Sequence, residues 1–172
     1  MKRALVLGAG GFIGHHLVKR LKQEGYWVAG VDLKYPEYSK SDADMFVKED
    51  LRDSHVLYEL LGCGIDEVYQ LAADMGGAGY INAGFNDADV MYNSALINLN
   101  VAHVFNEGLI RKPKIFFSSS ACVYPEENQL DPLNPKCSEE SVYPAHPDTE
   151  YGWEKLWSER MYMAFAKQYN MD

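Results

Sequence analysis

Short apolar runs and longer helical periods alternate along this chain. Ala4–Leu7 is an unbroken apolar run that ends in glycines, the mark of a strand buried on both faces. From Phe12 to Glu24 the apolar residues Phe12, Ile13, Leu17 and Leu21 recur on one helical face. Trp27–Val31 repeats the strand pattern and ends at Asp32, whereas Lys34–Asp44 is polar and reads as a loop. Met45–Val47 predicts a short third strand, Glu67–Leu71 a fourth and Ile115–Ser118 a fifth. Between them, Asp53 is placed to cap a helix running to about Leu61, and Val90–Leu109 predicts a long helix. Ala72–Asp89 is glycine-rich and irregular, Glu126–Thr149 is a proline-rich loop, and Tyr151–Tyr169 predicts the last helix. Repeated strand–helix units of this kind make an α/β fold: a doubly wound parallel sheet whose ligands sit at the carboxyl ends of the strands.

The chain's 172 residues fit one domain, long enough to bury roughly 70% of its unfolded surface. A net charge of −9 argues against nucleic acid as the main partner and gives no affinity for an anionic membrane. No apolar run reaches the length of a membrane span. The N-terminus opens directly on a strand, so no signal peptide is expected. Cys63, Cys122 and Cys137 are odd in number and lack metal-ligand spacing. They predict neither a disulfide framework nor a metal site, and they fit a reducing cytoplasm.

Gly8-Ala-Gly-Gly11-Phe12-Ile13-Gly14 lies between the first strand and the first helix. Gly8 permits the tight turn, Gly11 lets a pyrophosphate approach the backbone, and Gly14 lets the helix pack on the strand. The first helical residues, Phe12 and Ile13 among them, then present free N–H groups to the phosphates. Asp32 can accept hydrogen bonds from both adenosine ribose hydroxyls, and its charge repels a 2′-phosphate, so the expected cofactor is NAD rather than NADP. The plain alternative for Asp32 is a solvated strand-end carboxylate. Asp50, beside Leu51, either binds the adenine amino group or caps the next helix. Leu71-Ala72-Ala73 ends the fourth strand with small residues that let backbone lie against the cofactor, and Ser118 does so after the fifth.

Tyr151 and Lys155 are four apart on a helix and project to one face. A tyrosine with a pKa near 10 is a poor base. A nearby ammonium and a cationic nicotinamide both favour the phenolate. With Ser120 hydrogen-bonded to the same substrate hydroxyl, the three residues can remove an O–H proton while NAD takes hydride from carbon. Cys122, two residues after Ser120, is either a small buried hydrophobe or a proton-transfer group.

Three stretches carry a resemblance: Leu71-Ala-Ala-Asp-Met-Gly-Gly-Ala-Gly-Tyr80, Ser118-Ser-Ser-Ala-Cys-Val-Tyr-Pro-Glu126 and Tyr151-Gly-Trp-Glu-Lys155. The chain resembles the N-terminal part of extended short-chain dehydrogenases/reductases of the NAD-dependent epimerase/dehydratase family, and within them the GDP-mannose 3,5-epimerases. The resemblance implies an NAD-binding Rossmann domain over residues 1–172 that stops after the Tyr-x-x-x-Lys helix, lacking the C-terminal substrate domain. It implies transient oxidation at sugar C4, proton exchange at C3 and C5, and re-reduction. Cys122 would be one acid/base residue; its lysine partner falls beyond the residues present. Gly76, Gly77, Ser120, Ala121 and Cys122 would meet the sugar. Ala121-Cys122 replaces the Asp-Glu that related dehydratases carry, which argues against dehydration. A 4-epimerase and a non-catalytic NAD-binding module are the alternatives. The family's two-helix dimer interface implies a homodimer here through Val101, Val104, Phe105, Leu156, Met161 and Phe165, although a core-facing stripe explains some of these equally well.

Overall fold

The computed structural model describes residues 1–107 and 112–170. Its strands are β1 (Arg3–Leu7), β2 (Trp27–Asp32), β3 (Met45–Lys48), β4 (Glu67–Gln70) and β5 (Lys114–Phe117). Helices α1 (Phe12–Gln23), α2 (His55–Leu61), α3 (Ala78–Ile81), α4 (Asp87–Glu107), α5 (Glu126–Gln129) and α6 (Glu150–Tyr169) connect and follow them. Two 3-10 turns, Ala121–Val123 and Glu139–Val142, complete the described elements.

The five strands form one parallel sheet in the order β3-β2-β1-β4-β5. Alternate residues of β1 go to opposite faces, as pleating requires. Ala4 and Val6 join Val18 and Leu21 of α1 on one side. Leu5 and Leu7 join Leu57 of α2 and Val101, Val104 and Phe105 of α4 on the other. Helices α4 and α6 pack side by side on that second face. Both faces are covered, which is why these strands read as continuous apolar runs. The sheet is doubly wound, with the chain crossing from one face to the other between β1 and β4.

The structure alters several expectations. Helix α4 starts at Asp87, inside the segment read as irregular; Leu109, its expected end, lies outside the described residues. The segment 72–89 also holds α3, and the proline-rich loop holds α5 and a 3-10 turn. Asp53 does supply a cap bond: its carboxylate accepts the His55 N–H at 2.9 Å. Of the two readings of the apolar residues on α4 and α6, the core-facing one applies to most. Val101, Val104 and Phe105 are buried in the core on which Phe165 packs, and Leu156 is buried against Val123 and Val142. A stripe on a helix marks what it packs against, and here the partners are the chain's own sheet and helices.

Candidate active site

The carboxyl ends of β1, β2, β4 and β5 open onto one groove of about 780 Å³, within the roughly 300–1,000 Å³ range of small-molecule and cofactor sites. The glycine turn forms one wall. Gly8 has φ +85°, a left-handed conformation that side chains resist, and its N–H donates to the Val31 carbonyl at 2.8 Å. A Cβ on Gly14 would lie 2.8 Å from the Gly8 carbonyl carbon, so α1 sits as near the turn as backbone allows. Gly11 is different: the nearest neighbour of such a carbon is the Gly8 oxygen at 3.4 Å, and the rest is open. The first intrahelical bond recorded from Gly11 goes to the His15 N–H at 2.9 Å. The N–H groups of Phe12 and Ile13 therefore have no helical acceptor four residues back and are free for an anion.

Asp32 closes β2 at the next position along the groove. Its Oδ2 accepts the Gly10 N–H at 2.9 Å and its Oδ1 accepts the Lys34 N–H at 3.1 Å. Each oxygen keeps a lone pair for a hydroxyl donor. Gly10, absent from the sequence-based site, is held as tightly as Gly14: a Cβ there would meet Asp32 Cγ at 3.0 Å and the Lys34 carbonyl oxygen. At the far corner, both oxygens of Asp50 accept from the Arg52 guanidinium at 2.6–3.0 Å, which holds the carboxyl below its ordinary range. Of the two roles weighed for Asp50, helix capping falls instead to Asp53. Leu51, Leu71, Ala72 and Ala73 line the groove between these corners.

Ser118, Ser119, Ser120, Tyr151 and Lys155 line the other end. Ser119, which carries no motif signal of its own, has its hydroxyl buried in the groove wall with no hydrogen-bond partner. The Ser120 Oγ accepts the Cys122 N–H at 3.2 Å and so shapes the 3-10 turn that carries the cysteine. Lys155 is buried; its Nζ donates to the Ser118 carbonyl at 3.1 Å and stands 5.6 Å from the centre of the Tyr151 ring. Burial pushes the Lys155 pKa down, opposed by the charge of Glu154. The Tyr151 hydroxyl donates to Met75 Sδ at 3.7 Å. Its pKa is raised by burial, against the lowering effect of Ser120, with Cys122 and Glu154 adding to the rise. In this structure burial outweighs the lowering effect on the phenol, the reverse of the shift expected from a neighbouring ammonium.

Gly76, Gly77, Ala121 and Cys122 lie outside the lining of this groove. Gly76 has a packing reason to be glycine, because a Cβ would sit 2.6 Å from the Cβ of Tyr80. Gly152 was also passed over. The Cys122 carbonyl occupies the place where its Cβ would project, so the absence of a side chain lets the cysteine turn rest on α6. No cluster of metal-ligating side chains occurs among the described residues, and no helix among them is long and apolar enough to cross a membrane.

The residues present suit a dinucleotide. Free N–H groups flank an open Gly11, a carboxylate marks the end of β2, and the orphaned Ser119 hydroxyl lines the same groove as Tyr151. Such a groove defines a Rossmann-type, NAD-binding domain of the short-chain dehydrogenase/reductase kind. The chain belongs to the NAD dependent epimerase/dehydratase family, which it matches over residues 4–172, and NAD is its cofactor. It is 40% identical to the GDP-mannose 3,5-epimerase of Arabidopsis thaliana over 97% of its own length and 42% of that protein. Against GDP-mannose 3,5-epimerase 1 of Oryza sativa subsp. japonica the identity is 38%, over 99% of this chain and 44% of the other. UDP-glucose 4-epimerase from Brucella ovis in complex with NAD shares the fold with a TM-score of 0.82 at 25% identity, over 99% of this chain and 50% of that one. The chain spans less than half the length of the curated relatives it matches.

Proposed function

We propose that this chain carries the cofactor site, the oxidation residues and one proton-transfer residue of a nucleotide-sugar epimerase acting on GDP-mannose at C3 and C5. The observation that carries the reading is the Ser120–Cys122 turn seated on the helix of Tyr151 and Lys155, at one end of a dinucleotide groove. The likeness to the plant GDP-mannose 3,5-epimerases supports the choice of sugar. Gly11, the first N–H groups of α1 and Asp32 would hold NAD, which when bound would supply a reversible acceptor for the hydride of the sugar C4.

The Tyr151 oxygen removes the C4 hydroxyl proton, and Ser120 orients that hydroxyl. Lys155, held by Ser118, places a cation beneath the phenol and favours the phenolate once the nicotinamide is in place. The resulting C4 ketone acidifies the hydrogens on C3 and C5. Cys122 exchanges a proton at one of these carbons, a general acid/base task open to a thiol. Gly76 and Gly77 lie against the sugar in this scheme. A cytoplasmic location and a homodimer belong to the same proposal.

Incubating the protein with GDP-mannose and NAD in deuterated water tests it. Deuterium at C3 and C5 together with a transient NADH absorbance is the expected result. The fold shared with UDP-glucose 4-epimerase favours a second reading, in which only C4 inverts. NADH formation without deuterium at C3 or C5 would select it. Binding of NAD with neither signal would leave a non-catalytic cofactor-binding module.

A further inference from the structure

Behind the groove, at most 1% exposed, lie four polar side chains from three elements: Gln70 of β4, Asn98 of α4, and Glu154 and Ser158 of α6. Gln70 clamps the backbone of Ala72 on both sides: Nε2 donates to the Ala72 carbonyl at 2.9 Å, and Oε1 accepts the Ala72 N–H at 3.1 Å. The same Nε2 donates to Asn98 Oδ1 at 2.8 Å. Asn98 Nδ2 donates to Glu154 Oε1 and to Ser158 Oγ, both at 3.0 Å, and Ser158 Oγ donates to Glu154 Oε1 at 2.6 Å. Both amide protons of Gln70 and of Asn98 are spent, and the donors of Asn98 and Ser158 converge on one carboxylate. The other oxygen of that carboxylate, Oε2, is buried without a partner.

Stability alone does not account for this arrangement. Buried charge is costly, and an apolar core of equal volume generally serves as well or better. What the chain of bonds does have is two ends on the same groove. One is Ala72 in its wall; the other is the stretch of α6 that carries Tyr151 and Lys155. We propose that Glu154 is a positioning residue, which through Asn98 and Gln70 holds Lys155 and Tyr151 at a set distance from the Ala72 backbone. The inference rests on the groove binding NAD, with the nicotinamide half at the Tyr151 end and the ADP-ribose half between Gly11 and Asp50.

Two ligands separate this role from general support of the fold. ADP-ribose lacks the nicotinamide, so it does not report on the α6 end, whereas NADH does. Affinities for both are measured by calorimetry on the full chain. Glu154→Met keeps the volume and removes the acceptor; it is expected to weaken NADH about tenfold, the equivalent of about 1.4 kcal/mol, and ADP-ribose by less than about twofold. Glu154→Gln keeps an acceptor for Asn98 and is expected to recover NADH affinity to within about threefold of wild type. If Glu154→Met does not fold, Ser158→Ala removes one donor and is expected to show the same selectivity at about threefold. Equal loss for both ligands, or loss for neither, overturns the positioning role. Wild-type protein that binds neither ligand overturns the cofactor reading itself.

Discussion

Gly152→Ala should disturb the contact between the cysteine turn and α6. A Cβ added there would stand 2.9 Å from Pro147 Cβ and 3.0 Å from the Cys122 carbonyl carbon, and would overlap the Cys122 oxygen. Ordinary contact begins at 3.4 Å, so the cysteine turn and α6 must part. Overpacking of this order costs about 1–3 kcal/mol. An alanine gains at most about 1 kcal/mol over glycine within a helix, which offsets part of that cost. With the full offset the net loss is up to about 2 kcal/mol, a melting temperature lower by up to about 8 °C for a chain of this size. Displacement of Cys122 by about 1 Å should also cut proton exchange by roughly a hundredfold. Thermal melting and deuterium incorporation at C3 and C5 measure the two effects. Gly79→Ala is the control, since nothing lies within 4 Å of a Cβ at that helical position. A Gly152→Ala protein that melts and exchanges like wild type would refute the close-packing argument.

Oxidation and proton exchange should come apart in two variants. Tyr151→Phe is expected to bind NADH yet form no NADH from NAD and sugar, while Cys122→Ser keeps the NADH transient and loses exchange by about 10²–10⁴-fold. The Tyr151 phenol should titrate above its ordinary 10.0 in the cofactor-free chain. A raised phenol pKa means that the folded state holds the proton more tightly. Its stabilising contribution is whole below pH 10 and is lost as pH rises beyond. The alkaline absorbance difference between wild type and Tyr151→Phe reads this titration, and NAD, being cationic at the nicotinamide, should move it down whereas NADH should not. Ser119→Ala removes a buried hydroxyl that has no partner. It should leave the melting temperature unchanged or higher, yet weaken NADH by about 0.5–1.5 kcal/mol in a calorimetric titration.

The strands were legible within about a residue because a parallel sheet covered on both faces demands continuous apolar runs. Helix α4 began earlier than expected because Asp87 and Asp89 read as loop, although carboxylates are favoured in a first helical turn. One-turn α3 is too short to show a period. The glycines named from spacing, Gly8, Gly11 and Gly14, sit in the turn and the first turn of α1, but Gly10 and Gly152 answer to atoms far away in sequence and carry no local signal. Val101 and Phe105 show the converse limit: spacing says that a helix has an apolar face, not whose surface it meets. The direction of the Tyr151 pKa depended on burial, which a four-residue spacing to Lys155 does not convey.

Asp32 joins two properties that are usually discussed apart. Its carboxylate lines the cofactor groove, where we propose it meets the ribose, while bonding the backbone of Gly10 and Lys34, so it is also the clasp of the glycine turn. A change of cofactor preference by the obvious route, replacing this acid with a neutral or basic residue, would unfasten the turn in the same stroke. In this chain the choice of NAD is therefore built into the integrity of the loop, and an engineer seeking NADP use would have to refasten Gly10 before adding a positive charge.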